Sequence, residues 1–229
     1  MMKGRHAALV FDLDGTLVDT APDLTAALNA VLAARKMATV SLDTVRHMVG
    51  FGARALIRQA FEAEGQALTD ETIRPLINEF IVHYRAHIAD ASVPFPGVPE
   101  TLGQLRTGGA RLGILTNKPQ ELVLPLLDAL DLSRFFDAIH GAGRYAYVKP
   151  DARVFHHVLE ELKADAGVMI GDSRTDVATA RAAGAPVIVV SYGYTPEPAE
   201  RLGADATAER FSDIPHILER LASQRSASS

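Results

Sequence analysis

The sequence predicts an α/β fold: a Rossmann-like parallel sheet with helices on both faces and an α-helical domain inserted after the first strand. Three observations carry this. Short apolar runs, each ending at a polar residue, occur at 7–11, 111–115, 167–170 and 186–190, with weaker ones at 136–140 and 204–207. Runs of that length read as strands buried on both faces. Helical periodicities follow them: Leu122, Val123, Leu126 and Leu130, with Pro119 suited to a first turn; then Val154, Phe155, Val158, Leu159 and Leu162; then 177–183, closed by Gly184. Between about 21 and 92 the pattern is helical throughout, with Leu24, Ala27, Leu28, Val31 and Leu32 in one stretch and Ile73, Leu76, Ile77, Phe80, Ile81 and Tyr84 in another. Residues 1–19 and 94–229 are therefore expected to form the sheet domain and 20–93 the insertion, with Pro94-Phe95-Pro96-Gly97 at the return crossing.

Composition narrows the class of function. The chain has 229 residues, 48% of them apolar, enough for a substantial core. Its net charge is −5 and no stretch collects Lys and Arg, which argues against nucleic acid or an anionic membrane as a partner. It has no Cys, so disulfides, thiolate catalysis and Cys-ligated zinc are excluded. The apolar run at 7–11 is too short for a signal peptide, and no stretch approaches the ~20 residues of a membrane span. A cytoplasmic monomer or homodimer is expected. The polar tail, 223–229, is expected to fray.

Ligands of open parallel sheets bind outside the carboxyl ends of the strands. The polar residues ending the runs are Asp12 and Asp14, Thr116 and Asn117, and Asp172, with Lys149-Pro150 between the last two sets. Asp12 and Asp172 together suit one divalent cation, and oxygen ligands suit Mg²⁺. Gly15 and Thr16 follow in a tight turn whose backbone amides are placed to cradle a phosphate. Thr116 offers a hydroxyl to the same phosphate and Asn117 groups to position it, while Lys149 neutralises phosphoryl oxygens. One carboxylate as nucleophile and a second acid two residues on supply attack and proton transfer. Any of these taken singly is as well explained by a turn, a helix cap or a solvated loop; their order along predicted strand ends is what points to a site.

The motifs Phe11-Asp12-Leu13-Asp14-Gly15-Thr16-Leu17-Val18-Asp19-Thr20, Leu115-Thr116-Asn117-Lys118, Lys149-Pro150 and Gly171-Asp172-Ser173-Arg174-Thr175-Asp176 resemble, in order, those of the haloacid dehalogenase superfamily. The resemblance spans nearly the whole chain and implies that the inserted helices are a cap. It implies Asp12 as the nucleophile, which also binds Mg²⁺; Asp14 as acid and base, with its carbonyl on the metal; Thr116 and Asn117 at the phosphate; and Lys149 as the charge-stabilising lysine. Asp172 matches the metal carboxylate. Asp176 matches an outer acidic position, with a helix-capping role equally open. Asp14 argues against the dehalogenating and phosphonate-cleaving branches, which replace this acid. Leu24 stands where sugar phosphomutases typically carry His, which favours hydrolysis.

Within the superfamily, Asp19-Thr20-Ala21-Pro22-Asp23-Leu24, Gly50-Phe51-Gly52-Ala53-Arg54 and Thr116-Asn117-Lys118-Pro119 resemble the phosphoglycolate phosphatase subfamily. That likeness implies 2-phosphoglycolate as substrate, with related phosphatases of sugar phosphates, nucleotides or pyrophosphate as the alternative and a phosphomutase behind them. Arg54 is the expected partner of the substrate carboxylate, a solvated surface arginine being the competing expectation. Tyr145, Tyr147, Tyr192 and Tyr194 are expected to flank the cleft or to pack with exposed hydroxyls.

Overall fold

The structure, a computed structural model, describes residues 8–50 and 52–227, with side chains through 224. Ala7, Phe51, the leader at 1–6 and the last two residues of the tail lie outside the described residues.

Six parallel strands form the main sheet: β1 (Ala8–Phe11), β4 (Arg111–Pro119), β5 (Ala138–Ala142), β6 (Gly167–Gly171), β7 (Val187–Val190) and β8 (Ala206–Ala208), in the order β5-β4-β1-β6-β7-β8. Both faces of the sheet are covered, which is why β1 and β7 are apolar at every position. Alternation splits their side chains between two layers. Leu9, Phe11, Ile188 and Val190 join α5 (Val98–Thr107), α6 (Gln120–Ala129) and α9 (Ile214–Ala227) on one face. Ala8, Val10, Val187 and Val189 join α7 (Ala152–Glu161) and α8 (Arg174–Ala182) on the other. Gly184, at φ +66°, follows α8 in the left-handed conformation of a helix stop.

The insertion holds α1 (Ala21–Ala33), α2 (Leu42–Arg46), α3 (Gly52–Ala63) and α4 (Asp70–Ala86). Its apolar stripes form a third cluster, which includes Leu28, Ile57, Phe80 and Tyr84, and which also takes in Leu122 of α6. A two-stranded antiparallel ribbon, β2 (Val18–Asp19) with β3 (Val93–Pro94), ties the outward and return crossings side by side. Two-residue strands leave no periodicity, so the ribbon is not legible in sequence. The Asp23 carboxylate fastens the same place, accepting from the Ala91 and Ser92 amides and the Ser92 hydroxyl.

Three features differ from the sequence reading. α5 and α9 were not anticipated: each has a short apolar stripe (Val98 and Leu102; Ile214 and Ile217) interrupted by polar residues, and it is burial against the sheet that selects the helix. The expected frayed tail is helical through Ala227 as the end of α9. β4 runs four residues past Leu115, with a register shift between Leu115 and Pro119, so Thr116 and Asn117 lie inside the strand.

Phe11 meets Phe211 and Phe136 at ring-centroid distances of 5.8 and 6.3 Å, locking the strand that carries Asp12 to the covering layer. Phe211→Ala should cost about 3–5 kcal/mol, seen as a lower urea midpoint at unchanged slope.

Candidate active site

β1, β4 and β6 are neighbours in the sheet, so their carboxyl ends bring Asp12, Thr116 and Asp172 together without long loops. The turn after β1 follows from its glycine. Gly15 has φ +85°, and a Cβ there would lie 2.6 Å from Asp172 Oδ2 and 2.8 Å from the Tyr194 ring. The Gly15 and Thr16 amides, expected to cradle a phosphate, instead donate within the turn, to Val18 O at 3.0 Å and Leu13 O at 3.3 Å. The Leu13 and Asp14 amides are not donors in these bonds and are the backbone groups left for an anion. Thr16 serves through its hydroxyl, which donates to Asp172 Oδ1 at 3.0 Å.

Asp12, Asp172 and Asp176 are all buried, and one carboxylate oxygen of each lies within 4.8 Å of the others. Lys149 is the cation among them: its Nζ is 2.9 Å from Asp12 Oδ1 and 2.7 Å from Asp176 Oδ1. The approach to Asp12 Oδ1 is an ion pair whose angles fall outside those of a hydrogen bond. Burial pushes the Asp12 carboxyl up to about 6, against the pull of Lys149 and with the help of Asp176. Burial, then Asp176 and Asp12, push Asp172 up to about 8, opposed by bonds from the Tyr194 amide and Thr16. Lys149 is held above the usual lysine range because Asp12 and Asp176 outweigh its desolvation.

Three carboxylates sharing one lysine form a site short of positive charge. A divalent cation fits that deficit, and Asp12, Asp172 and Asp176 are the group that could hold it.

Each of these groups is held by others. Asn117 Nδ2 donates to the Lys149 carbonyl at 3.2 Å and its Oδ1 accepts from the Lys149 amide at 3.0 Å, so Asn117 fixes the backbone of Lys149. The Lys149–Pro150 peptide is cis. Thr116 is buried and accepts from the Lys118 amide, which leaves its hydroxyl proton able to donate to an anion. Asp176 takes the helix-capping role, closing a capping box with Ser173 at the start of α8, and also accepts from Lys149 Nζ. Gly193 lets its loop reach Asp172, because a Cβ there would sit 2.1 Å from Asp172 Cβ.

Asp14 Oδ1 accepts from Thr20 Oγ1 at 2.7 Å and from Lys118 Nζ at 3.0 Å. Sequence reasoning gave Lys118 no role, although it stands in the Thr-Asn-Lys triplet. Tyr84 was read only as helix core, yet its hydroxyl accepts from Lys118 Nζ at 2.7 Å. Tyr194 and Tyr192 do not expose their hydroxyls: one donates to Asp19, the other to the Thr16 carbonyl. Tyr145 and Tyr147 stack with His157, away from the acidic cluster.

Arg54 is not brought to the site. Its side chain is 47% exposed and donates to Asp70 at 2.7 Å on the surface of the insertion. Asp70 opens α4, where its charge also favours the helix N-terminus, so it holds the guanidinium outside. Ala53, not Arg54, lines the cavity beneath.

Asp12 and Asp14 stand at the junction of two cavities. One, of about 50 Å³, lies under α3 and α4 and is walled by Leu24, Val49, Leu56, Phe80 and Leu122, with Thr116 and Lys118 as its polar floor. The other, of about 220 Å³, opens past Asp172, Arg174 and Tyr194.

A doubly covered parallel sheet that gathers a desolvated carboxylate, a second acid and a buried lysine beyond its strand ends suits chemistry on an anionic group. The chain belongs to the haloacid dehalogenase-like hydrolases, whose family model matches residues 9–190. It is 50% identical to the phosphoglycolate phosphatase of Caulobacter vibrioides over 91% of this chain and 89% of that one. To the phosphoglycolate phosphatase of Agrobacterium fabrum it is 42% identical over 95% of each. The crystal structure of a predicted phosphoglycolate phosphatase from Haemophilus somnus superposes with a TM-score of 0.87 at 28% identity, covering 94% of this chain and 99% of the other. Family and kinship together make the chain a phosphoric monoester hydrolase acting on small phosphate esters.

Two outcomes follow from the geometry. Folded-state pKa values raised above those of the unfolded chain mean that stability is fully present below about pH 4 and is lost as pH rises through about 6 and 8. Without divalent cation the melting temperature should therefore fall across this window. Saturating MgCl₂ should reverse the fall, with an increment that grows with pH. Arg54→Ala should change stability by less than about 1 kcal/mol and leave kcat/KM for phosphate esters near its starting value, as steady-state kinetics will read.

Proposed function

We propose that the chain is a Mg²⁺-dependent 2-phosphoglycolate phosphatase working through a phosphorylated Asp12. The observation that carries the mechanism is the placement of Asp12 and Asp14 where the two cavities meet, Asp12 paired with Lys149 and Asp14 lining the apolar pocket. The named substrate of the relatives supports glycolate as the leaving group.

Asp12 attacks phosphorus as the P–O ester bond breaks, and Asp14 passes its proton to the departing glycolate oxygen. Asp14, now a carboxylate, takes a proton from water. That water attacks the aspartyl phosphate, releasing phosphate and restoring Asp12. Thr116 and the Leu13 and Asp14 amides hold the phosphoryl oxygens, and Lys149 neutralises charge beside Asp12. When bound, Mg²⁺ would be held by Asp12, Asp172, Asp176 and the Asp14 carbonyl, and it would supply the further positive charge that two anions need in order to meet.

Residues 1–19 with 94–229 act as the catalytic domain and 20–93 as a cap, hinged at the β2–β3 ribbon, that excludes water. No described helix is long and apolar enough to cross a membrane; a cytoplasmic monomer or homodimer accords with the small metabolite substrate.

Asp12→Asn should lower kcat by roughly 10⁴-fold or more and abolish acid-stable phosphoenzyme, and Asp14→Asn should lower it by about 10²–10⁴-fold. A panel of 2-phosphoglycolate, sugar phosphates, nucleotides and pyrophosphate, assayed with MgCl₂, should give its highest kcat/KM with 2-phosphoglycolate. A peak elsewhere would discard glycolate and leave the mechanism.

A further inference from the structure

Lys118 and Tyr84 share an arrangement that the catalytic steps do not use. Both are buried, and both line the apolar cavity under the cap. Lys118 comes from β4 of the sheet domain and Tyr84 from α4 of the insertion. A lysine ammonium has three protons to donate. One of those on Lys118 goes to Asp14 and one to the Tyr84 hydroxyl, and no third acceptor is present among the described residues. The Tyr84 hydroxyl, accepting from Lys118, has no acceptor for its own proton among them.

Two unspent donors thus stand side by side, one of them cationic, next to the group that protonates the leaving oxygen. Burial opposes the charge on Lys118, but Asp14 and Tyr84 raise its pKa, so the ammonium persists at neutral pH. Tyr84 is pushed up to about 12 by burial and keeps its proton.

Beside the polar floor of Asp12, Asp14, Thr116 and Asn117, the wall is apolar, with Leu24, Val49, Leu56, Phe80, Ile81 and Leu122. A cavity of about 50 Å³ has room for only a few heavy atoms, at ~10–15 Å³ for one water. The further hydroxyls of a sugar would meet that apolar wall and lose hydrogen bonds.

We propose that Lys118 Nζ and Tyr84 Oη form a carboxylate subsite for the leaving group, and that this pair, not Arg54, selects short phosphate esters bearing a carboxylate next to the ester carbon. In such an ester the carboxylate carbon is two bonds from the oxygen that Asp14 protonates, which matches donors adjacent to Asp14. The placement rests on the phosphatase mechanism above. Because Tyr84 belongs to the cap, the second donor is in place only when the cap lies over the sheet domain, so carboxylate recognition and exclusion of water occur together.

The test uses the Mg²⁺-loaded enzyme hydrolysing p-nitrophenyl phosphate. Its inhibitors are 3-phosphonopropionate, in which CH₂ replaces the ester oxygen of 2-phosphoglycolate, and propylphosphonate, which lacks the carboxylate. The unaltered enzyme should bind 3-phosphonopropionate the more tightly. Lys118→Met should shrink that preference by roughly 10- to 100-fold, the worth of a hydrogen bond to a charged group. Tyr84→Phe should shrink it in the same direction without removing the partner of Asp14, and it keeps the test decisive should Lys118→Met fold poorly. Loss of affinity for both inhibitors alike in Lys118→Met, with the preference intact in Tyr84→Phe, would reduce Lys118 to a support for Asp14 and overturn the proposal; so would an unaltered enzyme with no preference. A preference that both variants erase, in an enzyme that does not favour 2-phosphoglycolate in turnover, would keep the subsite and discard glycolate. The reverse pattern would keep glycolate and discard the subsite.

Discussion

Everything at this site depends on a shortage of positive charge. Asp12, Asp172 and Asp176 are buried close together, and among the described residues Lys149 is the one lysine paired with them. Like charges so close, away from water, are tolerated only when held apart by structure and satisfied by donors. The surrounding architecture supplies both. Ser173 and Lys149 hold Asp176, the Tyr194 amide and Thr16 hydroxyl hold Asp172, and Asn117 fixes the backbone of Lys149. What they leave unmet is an excess of negative charge over Lys149, the deficit that a divalent cation would offset.

The fold meets this requirement with little freedom. Adjacent strands place three polar termini within reach, and close approach is secured by removing side chains where they would collide. Gly193 and Gly15 both abut Asp172. Tyr194 links this centre to the crossing between domains: its amide bonds Asp172, while its hydroxyl bonds Asp19 of β2 and the amide that opens α1. The β2–β3 ribbon and the acidic cluster are thus linked through Tyr194, and Lys118 ties Asp14 to Tyr84 of the insertion.

The strands, most of the helices around them and the acidic motif residues were legible in sequence because each has a local cause. A run buried on both faces must be apolar throughout, a helix must repeat its stripe, and a chemical group at a strand end interrupts the run. The ribbon, α5 and α9 lacked such a signal, being too short or too weakly striped to declare themselves without the partner they pack on.

Sequence by itself determined the parallel α/β plan with its helical insertion and the identities of Asp12, Asp14, Lys149, Asp172 and Asp176, since their chemistry is written in residue type and order. Only the tertiary structure decided how the polar groups are shared. It turned Arg54 outward to Asp70, spent the Gly15 and Thr16 amides inside their own turn, and brought Lys118 and Tyr84, 34 residues apart, to a 2.7 Å contact beside Asp14. Hydrogen bonds and ion pairs depend on distances of a few ångströms between distant parts of the chain, and these are set by packing after the local patterns have been satisfied.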